Sequence, residues 1–226
     1  MNFLSHFYFE RFAIPPERVV GCILPDLLKN ADKSYIFHPQ KFEEQLFAHP
    51  LSREIAEGWY RHVEVDKLFH SSEIFIEHCH VLRRLLDPVL KDLPIRGTFM
   101  AHIAVELLLD HLLIEHQLVN VNRFYEHLEQ VNRTILKQYL EIIGLDDTRA
   151  FFGFYDKFLE WKYIYDYQNL DQLSKPLFSI CRRLWEFEVT SQTHENLTEV
   201  LQNYKQEHLL DFKEIYTYIQ DKLIHI

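Results

Sequence analysis

Residues 100–116, MAHIAVELLLDHLLIEH, decide the fold class. They read as the most apolar helix of the chain, capped by Thr98 and running to about Leu118. So many leucines predict a largely buried helix, yet His102, Glu106 and Asp110 recur every four residues along one of its faces. Buried acids need a partner or a metal. The plainer reading turns this polar stripe to solvent and the leucines to the core, and Glu115 and His116 suit it.

Helical spacing extends from there in both directions. Downstream, one helix is expected over residues 122–143, closed by Gly144 as the residue after its C-cap. Asp147 or Thr148 opens another to Trp161, Ser174-Lys175-Pro176 starts a third, and Ser191 or Thr193 the last, through Ile219. Upstream, Ser52 is the expected cap of a helix running past Phe69, and Ser71-Ser72-Glu73 restarts it under Ile74, Phe75, His78, Leu82 and Leu85. Asp87-Pro88 and residues 93–97 punctuate the chain. Pro15-Pro16-Glu17 opens a helix bearing Val19, Val20, Ile23, Leu24, Leu27 and Leu28, and Pro25 is expected to kink or break it. Residues 30–34 read as a loop, His38-Pro39 as a helix start, and residues 163–167 as the sole strand-like piece. The sum is all-α: a single helical domain spanning residues 1–226, with eight to ten helices and no repeat, low-complexity tract or linker.

Composition removes several function classes. Only 5 of 226 residues are glycine, against an average of about 7%, so hairpin-rich β folds are disfavoured. Neither GxGxxG nor GxxxxGK[ST] occurs, which excludes those two nucleotide-binding routes. The 24 basic and 34 acidic residues give a net charge of −10, so nucleic acid is not an expected partner. Cys22, Cys79 and Cys181 lie far apart, as reduced and mostly buried thiols. The opening MNFLSHFYFERF lacks a basic n-region, and Glu106, Asp110 and His111 interrupt the longest apolar run. The expectation is therefore a cytoplasmic protein with neither signal sequence nor membrane span.

Histidine is the unusual residue, with 14 present. His38, His49, His127, His194, His208 and His225 have no partner at ligand spacing and read as ordinary surface or core residues. Three groups stand out. His62 and Asp66, at i and i+4, share a helix face that His70 extends by a turn, and imidazole with carboxylate suits Mn²⁺, Fe²⁺ or Zn²⁺. A structural His–Asp pair explains the same spacing. Asp110-His111 and the pair His6 and Asp26 complete the candidates, and spacing alone decides none of them.

Taken together, these pieces resemble the acyl carrier protein phosphodiesterase family. The resemblance is carried by MNFLSHFYF at residues 1–9, GCILPDLLK at 21–29, GWYRHVEVD at 58–66 and DHLL at 110–113. These ordered blocks cover scattered parts of about the first 120 residues; residues 121–226 add only a helical pattern. The resemblance implies an HD-domain-like metal phosphohydrolase that uses Mn²⁺ to release 4′-phosphopantetheine from a serine of acyl carrier protein. It also implies that His6, Asp26, His62, Asp66 and Asp110 hold the metal, with Asp66 and His111 acting in catalysis. The family pattern carries an arginine after the third-block histidine, where this chain has Val63. Local basic groups at Arg83-Arg84, Lys91, Arg96 and Arg182-Arg183 are candidates for docking the acidic substrate protein, and a solvated helix face explains each of them equally. Three alternatives stay open: hydrolysis of another small phosphoester, a helical scaffold that has lost activity, and a ferritin-like di-metal oxidase built on Glu77-His78-Cys79-His80 and Glu106.

Overall fold

The computed structural model describes residues 1–224, so His225 lies outside the described residues. Among them are twelve α-helices, three short 3-10 turns and no strand. The helices are α1 (Phe3–Glu10), α2 (Pro16–Ala31), α3 (Glu43–Phe47), α4 (Pro50–Ser71), α5 (Glu73–Leu90), α6 (Gly97–Glu115), α7 (Val121–Gln130), α8 (Arg133–Ile142), α9 (Arg149–Trp161), α10 (Ser174–Cys181), α11 (Ser191–His208) and α12 (Lys213–Leu223).

Several expected boundaries move. Neither Pro25 nor Pro88 breaks its helix; α2 and α5 run through them, each giving up one backbone donor at that point. Ser52 is buried inside the first turn of α4 and does not cap it. The helix expected over residues 122–143 is two, because Asn132 accepts hydrogen bonds from the Thr134 and Ile135 amides and starts α8 afresh. The last expected helix likewise divides at residues 209–212. The strand-like piece is the 3-10 turn Tyr163–Gln168. Gly144 closes α8 at φ +103°, a left-handed position that a residue with a Cβ adopts only under strain.

The chain divides into two compact units. One comprises residues 3–66 and 119–163, the other residues 1–2, 67–118 and 164–226. In the first, α1, α2, α7 and α9 surround an aromatic core in which Phe7 meets Phe124 edge-on at 5.3 Å and Phe3 meets Phe158 at 5.1 Å. The buried Tyr155 hydroxyl donates to the Leu128 carbonyl at 2.7 Å. Buried Glu17 accepts from the Asn132 amide at 3.0 Å, tying the start of α2 to the cap of α8.

The contact that positions the site is the crossing of α2 and α4. A Cβ added to Gly21 would lie 2.2 Å from the Ile55 carbonyl oxygen, and one on Gly58 2.3 Å from the Arg18 carbonyl oxygen. Only glycine fits at these two positions, so the backbones touch directly. Gly58, His62 and Asp66 recur every four residues, so the face of α4 that meets α2 at Gly58 also carries both candidate ligands.

In the second unit α5 packs along α6. Ser72 caps α5 by accepting from the Phe75 amide at 3.2 Å. Buried residues occur all round α6, from Met100 to Leu113. Contrary to the expected absence of a span-length segment, α6 is long and apolar enough to cross a membrane by length and composition, and 61% of its most apolar stretch is buried inside the protein. The three thiols are free, with Cys22 and Cys181 buried and Cys79 half-buried.

Candidate metal centre

Four of the six residues singled out from the sequence come together in the first unit. His6 from α1, Asp26 from α2, and His62 and Asp66 from α4 face one another across the glycine crossing. His6 Nε2 lies 3.9 Å from Asp26 Oδ2 and 3.7 Å from Asp66 Oδ1, and His62 Nε2 lies 4.0 Å from Asp26 Oδ1. The two imidazoles stack with centroids 3.7 Å apart at 15°. Donor atoms of His6, His62 and Asp66 all lie within 4.8 Å of one another.

These separations exceed the roughly 2.7–3.2 Å of an N–H···O hydrogen bond. They fall in the range of donors around one ion: with bonds of about 2.0–2.2 Å, tetrahedral donors lie about 3.4 Å apart and opposite donors of an octahedron about 4.2 Å. Charge agrees as well, since two carboxylates neutralise a divalent cation.

Local chemistry sets one tautomer. His62 Nδ1 is 2.9 Å from the Cys22 carbonyl, which can only accept, so Nδ1 carries the proton and Nε2 keeps its lone pair. The histidines are buried, with side chains 1% and 8% exposed, while Asp26 and Asp66 are 31% and 39% exposed. The imidazoles form the floor and the carboxylates the open rim.

Val63 is exposed and lines a cavity of about 320 Å³ with Phe37, Trp59 and Tyr60. Arg61 is committed elsewhere, its Nε lying 3.4 Å from Glu10. Arg18 pairs with the same acid and with Glu54 and Glu57. Burial raises the Glu10 pKa, against the pull of these two guanidiniums.

Asp110 and His111 belong to the second unit. Asp110 is fully buried, so its end of the polar stripe does not face solvent. His111 Nδ1 donates to the Tyr167 carbonyl at 2.8 Å, which leaves Nε2 unprotonated, 3.2 Å from Lys205 Nζ. Burial lowers the His111 pKa and nearby Lys205 adds to this, so the ring is held neutral. Lys205 also pairs with Glu115. No spacing in the sequence links Lys205 to His111, because the two are joined only by tertiary packing.

His102 and Glu106, from the other end of the stripe, meet His70 from the last turn of α4. The sequence shows the His102/Glu106 spacing but not that His70 joins it. Burial disfavours charge on Glu106, but the Met1 ammonium at 3.1 Å and then the two imidazoles hold its carboxyl well below the usual range. The oxidase motif gains nothing: Glu77 and His80 are exposed, and His78 Nδ1 pairs with the Tyr204 hydroxyl at 2.7 Å.

A model of the acyl carrier protein phosphodiesterase family matches residues 1–219 of the chain. The chain belongs to this family. The match extends well past the first 120 residues in which the sequence blocks were recognised. No curated protein and no solved structure matches the chain.

Proposed function

We propose that this protein is a divalent-metal phosphodiesterase of the cytoplasm that releases 4′-phosphopantetheine from holo-acyl carrier protein. The single observation that carries the reading is the convergence of His6, Asp26, His62 and Asp66 at the α2/α4 crossing, with His62 Nε2 fixed as a lone-pair donor. Two nitrogens and two carboxylate oxygens suit Mn²⁺. A divalent ion held there supplies Lewis acidity, activating water and polarising the phosphoryl group. In the overall reaction the water oxygen bonds to phosphorus, the bond from phosphorus to the serine oxygen breaks, and that oxygen takes a proton. Asp26 and Asp66, on the open rim, set the charge of the site. His111, its pKa lowered first by burial and its Nδ1 bonded to the Tyr167 carbonyl, is assigned the catalytic role that the family resemblance implies. Asp110 is assigned to the ligand set on the same resemblance.

Docking of an acidic partner is assigned to basic residues of the second unit. Arg83, Arg84, Lys91, Arg96, Arg182 and Arg183 are all exposed. Gly97 packs beside the Arg83 side chain, and Phe99 meets Trp185 at 5.3 Å, which draws the ends of α5, α6 and α10 together. Such a patch offsets the long-range repulsion set by the net charge of −10.

The test is intact-mass measurement of holo-acyl carrier protein incubated with the Mn²⁺-loaded protein. Conversion to the apo form, abolished by chelator and in Asp66→Ala, is the expected result. An unchanged holo form under the Mn²⁺-loaded protein overturns the reading. A second reading, hydrolysis of a different phosphoester, is favoured by the aromatic cavity beside Val63 and by the commitment of Arg61 to Glu10. Turnover of bis(4-nitrophenyl) phosphate with holo-acyl carrier protein untouched selects it.

A further inference from the structure

His70, His102 and Glu106 converge through one atom each. His70 Nε2 lies 3.2 Å from His102 Nε2 and 3.2 Å from Glu106 Oε1, and His102 Nε2 lies 3.0 Å from the same oxygen. With ligand bonds of about 2.1 Å, adjacent donors of an octahedral ion lie about 3.0 Å apart, so this near-equilateral triangle has the size of one face of the octahedron. We propose that these three residues form a second metal site, a two-histidine one-carboxylate face for a divalent transition ion such as Co²⁺, Fe²⁺ or Zn²⁺.

Hydrogen bonding alone serves the triangle poorly. If both Nε2 atoms are protonated to donate to Glu106, two N–H groups crowd each other at 3.2 Å; if either is bare, the carboxylate loses that bond. A cation seated over the face satisfies all three lone pairs together. A cation is already drawn to this place, since the Met1 ammonium approaches Glu106 Oε1 at 3.1 Å. An arriving divalent ion takes over that role with twice the charge.

The rings are held ready. They lie nearly parallel at 14° with centroids 4.9 Å apart. Buried Phe75 meets both edge-on, at 5.2 Å to His70 and 5.0 Å to His102. Phe75 is itself fixed by the Ser72 cap of α5. The way in is open: the His70 and His102 side chains are 32% and 42% exposed, against 12% for Glu106.

The two nitrogen donors select transition ions over Mg²⁺ and Ca²⁺, which prefer oxygen. The site stands independently of the proposed phosphodiesterase chemistry, because it shares no ligand with the centre at His62.

The experiment is a Co²⁺ titration of chelator-stripped, full-length protein, read by calorimetry and by the visible ligand-field bands of bound Co²⁺. It is run in a His62→Ala background, which removes the other centre. Binding of one equivalent in that background, weakened at least ~100-fold when His102→Ala is added, is the expected result. His70→Gln, which keeps side-chain volume, is run in parallel and should show the same loss; circular dichroism on both variants checks folding. Binding that neither His102→Ala nor His70→Gln weakens, in variants that remain folded, overturns the proposal. So does absence of binding in His62→Ala alone.

Discussion

The two histidine clusters solve opposite electrostatic problems with the same residue types. In the first unit the imidazoles of His6 and His62 are the buried partners, and Asp26 and Asp66 stand at the rim. In the second the carboxylate of Glu106 is the buried partner, and His70 and His102 stand at the rim. A buried neutral imidazole costs little and needs only its tautomer fixed, which the Cys22 carbonyl does. A buried carboxylate must stay charged against desolvation and draws cations to itself, as the Met1 ammonium shows. The first arrangement keeps its donor atoms 3.7–4.0 Å apart, the second 3.0–3.2 Å. One is therefore spaced like a loose cage around an ion, and the other like a closed triangular face.

The sharpest way to break this comparison is Asp66→Ala. Conversion of holo-acyl carrier protein should fall ~100-fold or more, while Co²⁺ binding at His70, His102 and Glu106 stays within experimental error. Loss of both properties in a folded variant would mean that the clusters are not separate.

Next in size is Gly58→Ala. Its Cβ would meet the Arg18 carbonyl oxygen at 2.3 Å, and backbone cannot yield as a side chain does. Overpacking of this kind costs about 1–3 kcal/mol, read as a lower urea midpoint. Metal binding should fail at the His62 centre and survive at the His102 centre; an unchanged midpoint would show that the crossing has slack.

Ser72→Ala probes the other unit. Loss of its bond to the Phe75 amide should cost about 1 kcal/mol of stability and weaken Co²⁺ at the second site, leaving phosphodiesterase turnover unchanged.

The smallest effect is a pH dependence shared by both units. Burial lowers the pKa of His78 in one and of His127 in the other. The unfolded chain takes up these protons near pH 6.5, before the folded protein does. Their stability contribution is therefore fully present above about pH 6.5 and is lost as pH falls through the folded values. The thermal midpoint should drop on acidification, and His78→Gln should flatten part of that slope. A midpoint that rises on acidification would contradict the assignment.

Much of the fold is legible in the sequence because helical spacing is local. The apolar run of α6, the restart at Ser72 and the close at Gly144 all follow from residues within a few positions of one another. Asn132 is legible only afterwards: the apolar stripe passes straight through it, and its side chain decides the break by reaching its own next amides. Pro25 and Pro88 mislead in the other direction, since tertiary packing keeps α2 and α5 continuous at the loss of one bond each. At the site, the His62/Asp66 pair is visible as a spacing, and the family blocks add His6 and Asp26. The glycine crossing that brings them together is not visible, because no local pattern says which helix Gly21 touches. His70 is visible as an extension of the His62/Asp66 face, but its meeting with His102 and Glu106 is hidden for the same reason: they lie 32 and 36 residues away.

The thiols also shape how such a protein meets the ions of a cell. Burial pushes Cys22 well above the usual thiol range, Cys79 to about 12 and Cys181 to about 11. Soft ions such as Cu⁺ and Cd²⁺ are captured by thiolate, and at neutral pH this chain displays almost none. What it mainly shows an arriving ion is imidazole and carboxylate. With Cys22 and Cys181 buried and Cys79 half-buried, a soft ion must displace a thiol proton and reach below the surface to be captured, so the choice of metal falls chiefly to nitrogen, oxygen and the spacing between them.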